Sequence, residues 1–229
     1  MVSSPTFDDG VPYERIDADE WEDIYVVSDV HGCLPELESL LDDFAPSADD
    51  LVVFVGDLIR KGPDSLGVVE LVRENDNFRS VRGNNEQKLL DGDVELDEFG
   101  EAEIEYVRSL PAAISWDDAL VVHGGVDPRK PLSEHSIDDL ETTRSLDPDG
   151  SYDRPFWFEE YDGPRRVFFG HTVLERPVER EWAVGLDTGC VYGGTLTAYE
   201  YRADEFVTKP SQRTGKNRSD DSIVTPRPH

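Results

Sequence analysis

Apolar residues come along this chain in short bursts, and the spacing within each burst assigns its element. Residues 23–28 (DIYVVS), 51–55 (LVVFV) and 78–82 are runs of strand length, rich in β-branched side chains, and read as strands. Between them the apolar positions step at helical intervals, over 34–44 (LPELESLLDDF), with Pro35 in the first turn, and over 64–74. A further helix begins near Asn85, and another spans 101–109. The second half is richer in strands: 112–115 and 119–122 flank an acidic turn, and a helix over 137–145 follows. Strands then fall near 166–169, 182–186, 196–201 and 205–208. Strands alternating with helices, then strands close together, predict an α/β layered sandwich with two mixed β-sheets.

At 229 residues the chain suits one domain, assigned here to 21–209. An acidic, weakly apolar lead-in occupies 1–20. Over 210–229 proline, serine and alternating charge replace the apolar pattern, which predicts a disordered tail.

Charge changes the picture most. Fifty-one acidic residues face 22 basic ones, for a formal net charge of −29. Recurrent valine-rich runs rule out a disordered acidic chain, so the carboxylates belong to a surface adapted to high salt, where screening mutes their repulsion. Such a surface argues against nucleic acid and anionic membranes as partners. The two cysteines, Cys33 and Cys190, make no disulfide framework. No apolar run reaches the roughly 20 residues that cross a bilayer, and the first residues lack the pattern of a signal peptide. A cytoplasmic, halophilic protein is the expectation.

The candidate chemistry sits where strands end. DIYVVS is followed by Asp29 and His31, LVVFV by Gly56 and Asp57, and FRSVR by Gly83, Asn84 and Asn85. ALVV is followed by His123 and RVFF by Gly170 and His171. In open α/β sheets ligands bind in the crevice beyond the carboxyl ends of the strands, so five strand ends deliver carboxylates, imidazoles and amides to one rim. Any one of these residues alone reads as a turn, a cap or an ordinary hydrogen-bonded histidine; the conjunction points to a metal site. Oxygen and nitrogen donors without thiolate suit Mn²⁺, Fe or Zn²⁺, with Co²⁺ or Ni²⁺ further options. Six ligands (Asp29, His31, Asp57, Asn84, His123, His171) exceed what one catalytic ion with open positions takes. They fit two ions sharing Asp57 and activating a water between them.

These stretches also resemble a known family. SDVHGC, GDLIRKGPDS, VRGNNE, VVHGGVDP, FGHT and LDTGCVYGG, in that order over about residues 24–200, resemble the calcineurin-like metallophosphoesterases. Within these the chain looks like the branch of the Ser/Thr protein phosphatases and the symmetrical diadenosine-tetraphosphate hydrolases. The resemblance implies an α-β-β-α sandwich. It also implies Asp29 and His31 on the first ion, a bridging Asp57, and Asn84, His123 and His171 on the second. It places Lys61 where the family has a phosphate-clamping arginine, and Arg144, after a short helix, as another phosphate binder. The catalytic set is then His31, Asp57, Arg60, Lys61 and Arg144.

Two departures narrow the substrate. Many members carry an aspartate and a histidine that together protonate the leaving oxygen; here those positions are Arg60 and Asn85. Neither can donate that proton, a loss of about 10²–10⁴-fold in rate where the leaving group is a serine alkoxide. The loss is mild where a phosphate leaves from an anhydride. Arg60 beside Lys61 adds positive charge suited to several phosphates. The expected activity is hydrolysis of phosphoanhydride or phosphomonoester bonds, favouring nucleoside polyphosphates such as diadenosine tetraphosphate. The alternatives are a Ser/Thr phosphoprotein phosphatase and a non-catalytic protein that binds phosphate ligands through its metals. Other features read as structural: Cys190 as a small buried residue, and Trp157 as core or loop cover rather than a base-stacking platform. Asp187 either caps a turn or orients a ligand histidine. His135 and His229 have no ligand-like setting.

Overall fold

The computed structural model describes residues 4–148, 152–212 and 218–227. The first half of the chain forms β1 (Tyr13–Arg15), β2 (Ile24–Val27), α1 (Leu34–Phe44), β3 (Leu51–Phe54), α2 (Ser65–Glu74), β4 (Phe78–Ser80), α3 (Asn84–Leu90) and α4 (Glu101–Ser109). The second forms β5 (Ala113–Trp116), β6 (Ala119–Val122), α5 (Ile137–Thr142), α6 (Trp157–Glu160), β7 (Arg166–Phe169), β8 (Val178–Glu179), β9 (Ala183–Gly185), β10 (Thr195–Glu200) and β11 (Glu205–Pro210).

The helices start and stop on local chemistry. Pro35 opens α1, whose last turn closes on Ala45 in the left-handed region, its N–H bonded to the Leu41 carbonyl. Asp64 caps α2 by accepting from the Gly67 N–H at 2.8 Å, meeting one of the donors that a helix start leaves unpaired.

Two mixed sheets stack. One has the order β11-β10-β2-β3-β4 and the other β1-β5-β6-β7-β9-β8. Alternation along the strands builds three apolar layers. Ile24, Val26, Leu51 and Val53 turn inward against Ile114, Val121, Phe168 and Val184 of the second sheet. Tyr25, Val27, Val52 and Phe54 turn outward onto Leu37 and Leu40 of α1 and Val68, Val69 and Val72 of α2. On the far side Leu120, Val122, Val167 and Phe169 meet Leu140 of α5 and the aromatic run Phe156, Trp157 and Phe158. The result is the α-β-β-α sandwich that the sequence predicts. Strands β2, β3 and β4 are mutually parallel, as are β6, β7 and β9, so each set brings its carboxyl ends to one edge of its sheet.

Three elements are additional to the sequence reading. β1, within the stretch read as a lead-in, pairs in parallel with β5. β8 is a two-residue edge, and α6 is a single turn whose Trp157 is fully buried and donates its Nε1–H to the Gly124 carbonyl. Trp157 is therefore core. The helix predicted over 137–145 stops at Thr142. The backbone beyond it is committed elsewhere: Trp157 N–H bonds to the Arg144 carbonyl at 3.0 Å and Leu146 N–H to the Pro155 carbonyl at 2.8 Å.

Of the segment read as a tail, Pro210 ends β11, and residues 218–227 lie against the second sheet's helical side. Val224 is buried and exchanges hydrogen bonds with Val173 and Glu175. His229 lies outside the described residues. Among the described residues no helix is long and apolar enough to cross a membrane.

Candidate active site

The strand ends converge as the sequence reading expects, and the backbone there is unusual. His31, Asp57, Arg60, Lys61 and His171 all adopt left-handed φ values, between 50° and 70°. Side chains with a Cβ occupy that region at a cost of roughly 1–3 kcal/mol each, and such strain gathers at functional sites. Glycine supplies close approach at two points: a Cβ on Gly83 would stand 2.4 Å from the Asp57 backbone nitrogen, and one on Gly170 would overlap the Asp29 carboxylate.

Asp57 stands at the centre, 2% exposed. Its Oδ2 faces His31 Nε2 at 3.4 Å and its Oδ1 faces His123 Nε2 at 3.4 Å. Asp29, His31 and Asp57 each place a donor atom within 4.8 Å of the others. On the opposite side Asn84 Oδ1 lies 3.1 Å from His123 Nε2 and 3.0 Å from His171 Nδ1. All six residues named as ligands thus form one cluster, divided into two groups by the oxygens of Asp57.

The donor chemistry calls for cations. His31 Nδ1 meets the Ile59 carbonyl at 3.1 Å and His123 Nδ1 meets the Val55 carbonyl at 2.9 Å. A carbonyl only accepts, so Nδ1 carries the hydrogen and each Nε2 turns a lone pair toward a carboxylate oxygen. Two acceptors face each other across each of those 3.4 Å gaps, with no proton between them. Backbone carbonyls that orient imidazoles in this way are the usual support of metal-ligating histidines. Burial keeps these rings neutral: it pushes His31 down to about 4, and His123 and His171 fall below their usual range for the same reason. The carboxylates show the same need. Burial, then the charges of Asp187 and Asp57, push Asp29 well above the usual carboxyl range, and burial raises Asp187. Burial also opposes the Asp57 charge, but the Lys61 ammonium and the Asn85 N–H favour it, and that carboxyl stays low. Three buried carboxylates without a cation repel one another at low local dielectric; this donor set fits divalent metal ions.

Cations line the rim. Lys61 Nζ donates to His31 Nε2 at 2.8 Å, and Arg144 Nη2 donates to His171 Nε2 at 2.7 Å. Arg144 Nε is buried with no partner among the described residues. Arg60 Nη1 donates to Asn85 Oδ1 at 2.6 Å, and the Asn85 side-chain amide donates to Asp57 Oδ2.

Several residues of the site carry no role in the sequence reading. Glu86, fully buried, accepts from the N–H groups of Gly83 and Asp57, each at 2.8 Å, and of Ile59 at 3.2 Å. It thereby ties the β3 and β4 ends together; its signal was an acidic residue three places into a helix start. Arg82 and Glu141 form a buried ion pair at 2.8 Å linking the β4 end to α5. Asp187 accepts from the Gly189 N–H at 2.9 Å, which is turn capping rather than histidine orientation. His135 is buried away from this cluster, between the Asp127 N–H and the Pro131 carbonyl. Cys33 and Cys190 are both buried, and the neighbouring Cys33 and burial push the Cys190 thiol up, out of reach of a thiolate nucleophile.

Comparison with known proteins agrees with this architecture. The sequence profile of the calcineurin-like phosphoesterases matches residues 23–204. A bis(5'-nucleosyl)-tetraphosphatase PrpE, of the asymmetrical type, from Halalkalibacterium halodurans is 30% identical over 232 residues, spanning 82% of this chain and 94% of its own. Serine/threonine-protein phosphatase 1 of Salmonella typhimurium is 33% identical over 214 residues, spanning 81% of this chain and 94% of its own. A crystal structure assigned provisionally as a diadenosine tetraphosphatase superposes with a TM-score of 0.78 at 30% identity, over 91% of this chain and 100% of that one. The asymmetrical designation is a distinction that the motifs, read as near the symmetrical hydrolases, do not carry. The profile match covers most of the chain, and the chain therefore belongs to the calcineurin-like phosphoesterases, a metallophosphoesterase and a hydrolase.

Proposed function

We propose that this protein hydrolyses phosphoanhydride bonds in nucleoside polyphosphates, of which diadenosine tetraphosphate is the working example. Asp29, His31 and Asp57 would hold one divalent ion and Asp57, Asn84, His123 and His171 a second, with Mn²⁺ the best match to the donors. Ions bound there supply a nucleophilic water at neutral pH and neutralise charge on the transferred phosphoryl group.

The observation that carries the substrate class is the Arg60–Asn85 pair, hydrogen-bonded at 2.6 Å on the two positions where the family resemblance expects a proton-donating aspartate and histidine. A guanidinium keeps its proton and an amide has none to give in this pH range, so the pair stabilises a departing negative charge without protonating it. A departing phosphate is a weak base and leaves without help, whereas an alkoxide does not. Lys61 and Arg144 grip the transferred phosphate from two sides, and the unpartnered Arg144 Nε–H gains an acceptor when phosphate binds.

A second reading, a Ser/Thr phosphoprotein phosphatase, is favoured by the likeness to the Salmonella enzyme. Turnover of diadenosine tetraphosphate, p-nitrophenyl phosphate and a phosphoserine peptide, assayed with Mn²⁺ in high salt, separates the two. The tetraphosphate should give the highest kcat/KM; a phosphopeptide that turns over faster overturns the anhydride preference. Binding of all three without product release in any metal would leave a non-catalytic phosphate-binding protein. The net charge of −29 fits work in a salt-rich cytoplasm, with no nucleic-acid partner.

A further inference from the structure

An arc of alternating cations and rings crosses the mouth of the site. Arg144 Cζ lies 4.3 Å from the centre of the Tyr152 ring, and Arg218 Cζ lies 5.4 Å from that same ring. Arg218 Cζ is also 4.8 Å from the centre of the Tyr192 ring, over which Lys61 Nζ stands at 5.6 Å. The two ends of the arc are pinned to the floor, Arg144 on His171 and Lys61 on His31. Its middle member, Arg218, comes from the C-terminal segment.

That segment is docked where it carries the arginine. Val224 N–H bonds to the Val173 carbonyl at 2.8 Å, Arg154 Nη2 to the Thr225 carbonyl at 2.6 Å, and Arg176 Nη2 to the Pro226 carbonyl at 3.0 Å. Arg218 itself donates from Nε to the Ser222 carbonyl at 2.9 Å and from Nη2 to the Tyr152 hydroxyl. Its guanidinium is oriented on two sides.

We infer that Arg218 is a substrate-binding residue, holding a phosphate one or two places along the chain from the one that Lys61 and Arg144 grip. Three cations gathered against two rings at one mouth, in a protein of net charge −29, make a local positive patch that complements an anion carrying several charges. The rings of Tyr152 and Tyr192 are already engaged by cations, so the mouth offers positive charge rather than open aromatic faces for a base. A phosphopeptide or simple monoester carries no second phosphate to reach Arg218; a polyphosphate does. Arg218 thus sets chain-length selectivity, and the inference rests on the polyphosphate reading above.

The test is competition against p-nitrophenyl phosphate hydrolysis by the full-length protein, with Mn²⁺ kept in excess over the added anion. Arg218→Gln should raise the inhibition constant of tripolyphosphate about tenfold, the scale of one lost charge-assisted contact, and that of orthophosphate much less. Arg218→Lys should recover most of the loss. Tyr152→Phe, which removes the hydroxyl that orients Arg218, should give the same selectivity at smaller size. Equal weakening of both anions, or none, overturns the assignment. Preference for a phosphopeptide in the substrate panel would instead sink the anhydride reading and leave the ratio of inhibition constants to judge Arg218 alone.

Discussion

The floor of the site and its rim are built in opposite ways. The floor consists of residues that directly follow sheet strands; Asp29, His31, Asp57 and His123 are all at most 3% exposed, and hydrogen bonds to backbone fix their orientation. The rim consists of half-buried cations and tyrosines from turns and from the C-terminal segment, held by one another. A rigid sheet edge can hold reacting groups to fractions of an ångström, which the chemical step requires. Loops are more easily altered without disturbing the core, and they decide what may approach. On the proposed function, chemistry and selectivity are carried by separable parts of the molecule, and each can be disturbed alone.

The strongest disturbance of the floor is Asp57→Asn, which removes the charge facing both imidazoles. Phosphate release should fall by about 10²–10³-fold or more on every substrate, with the folded circular dichroism spectrum retained. Wild-type rates would remove Asp57 from its proposed central role. Next is the support beneath it. Glu141→Ala leaves Arg82 buried without its partner and should cost about 3–5 kcal/mol, read as a lowered denaturation midpoint. The measurement belongs at pH 8, above the value of about 7 to which burial pushes the Glu141 carboxyl against the pull of Arg82. The smallest effect tests the boundary between the two regions. Arg60→Asp combined with Asn85→His restores an acid and should raise the phosphoserine-peptide rate relative to the diadenosine-tetraphosphate rate by about tenfold, the low end of acid catalysis. An unchanged ratio would mean that leaving-group protonation does not govern the choice of substrate.

The same division explains what could be read from the chain. Helices α1 and α4 and strand β7 fall on the predicted residues, because an amphipathic pattern or a short apolar run such as residues 167–169 is a local signal. The floor was legible too, since each of its side chains follows an apolar run and several stand beside a glycine. β1 was not: Tyr13, Glu14 and Arg15 show no alternation and become a strand only by pairing with residues 113–115. α6 is a single turn inside an aromatic run whose spacing fits core packing equally well. The rim was the least legible part. Tyr152, Tyr192 and Arg218 lie in segments without periodicity, and only the docking of Val224 beside Val173 brings the last of them to the others.

The acidic surface has a consequence for how substrate arrives. A polyphosphate anion nearing a body of net charge −29 is repelled over about a Debye length, roughly 10 Å at 0.1 M salt and 3 Å at 1 M. Attraction by Lys61, Arg144 and Arg218 acts only close to the mouth. In dilute buffer the encounter must first cross that outer barrier; in concentrated salt the barrier collapses to the thickness of a hydration layer, while the close-range grip is weakened less. Salt is then an accelerator of capture, the reverse of its effect on proteins that steer anions in with a basic surface.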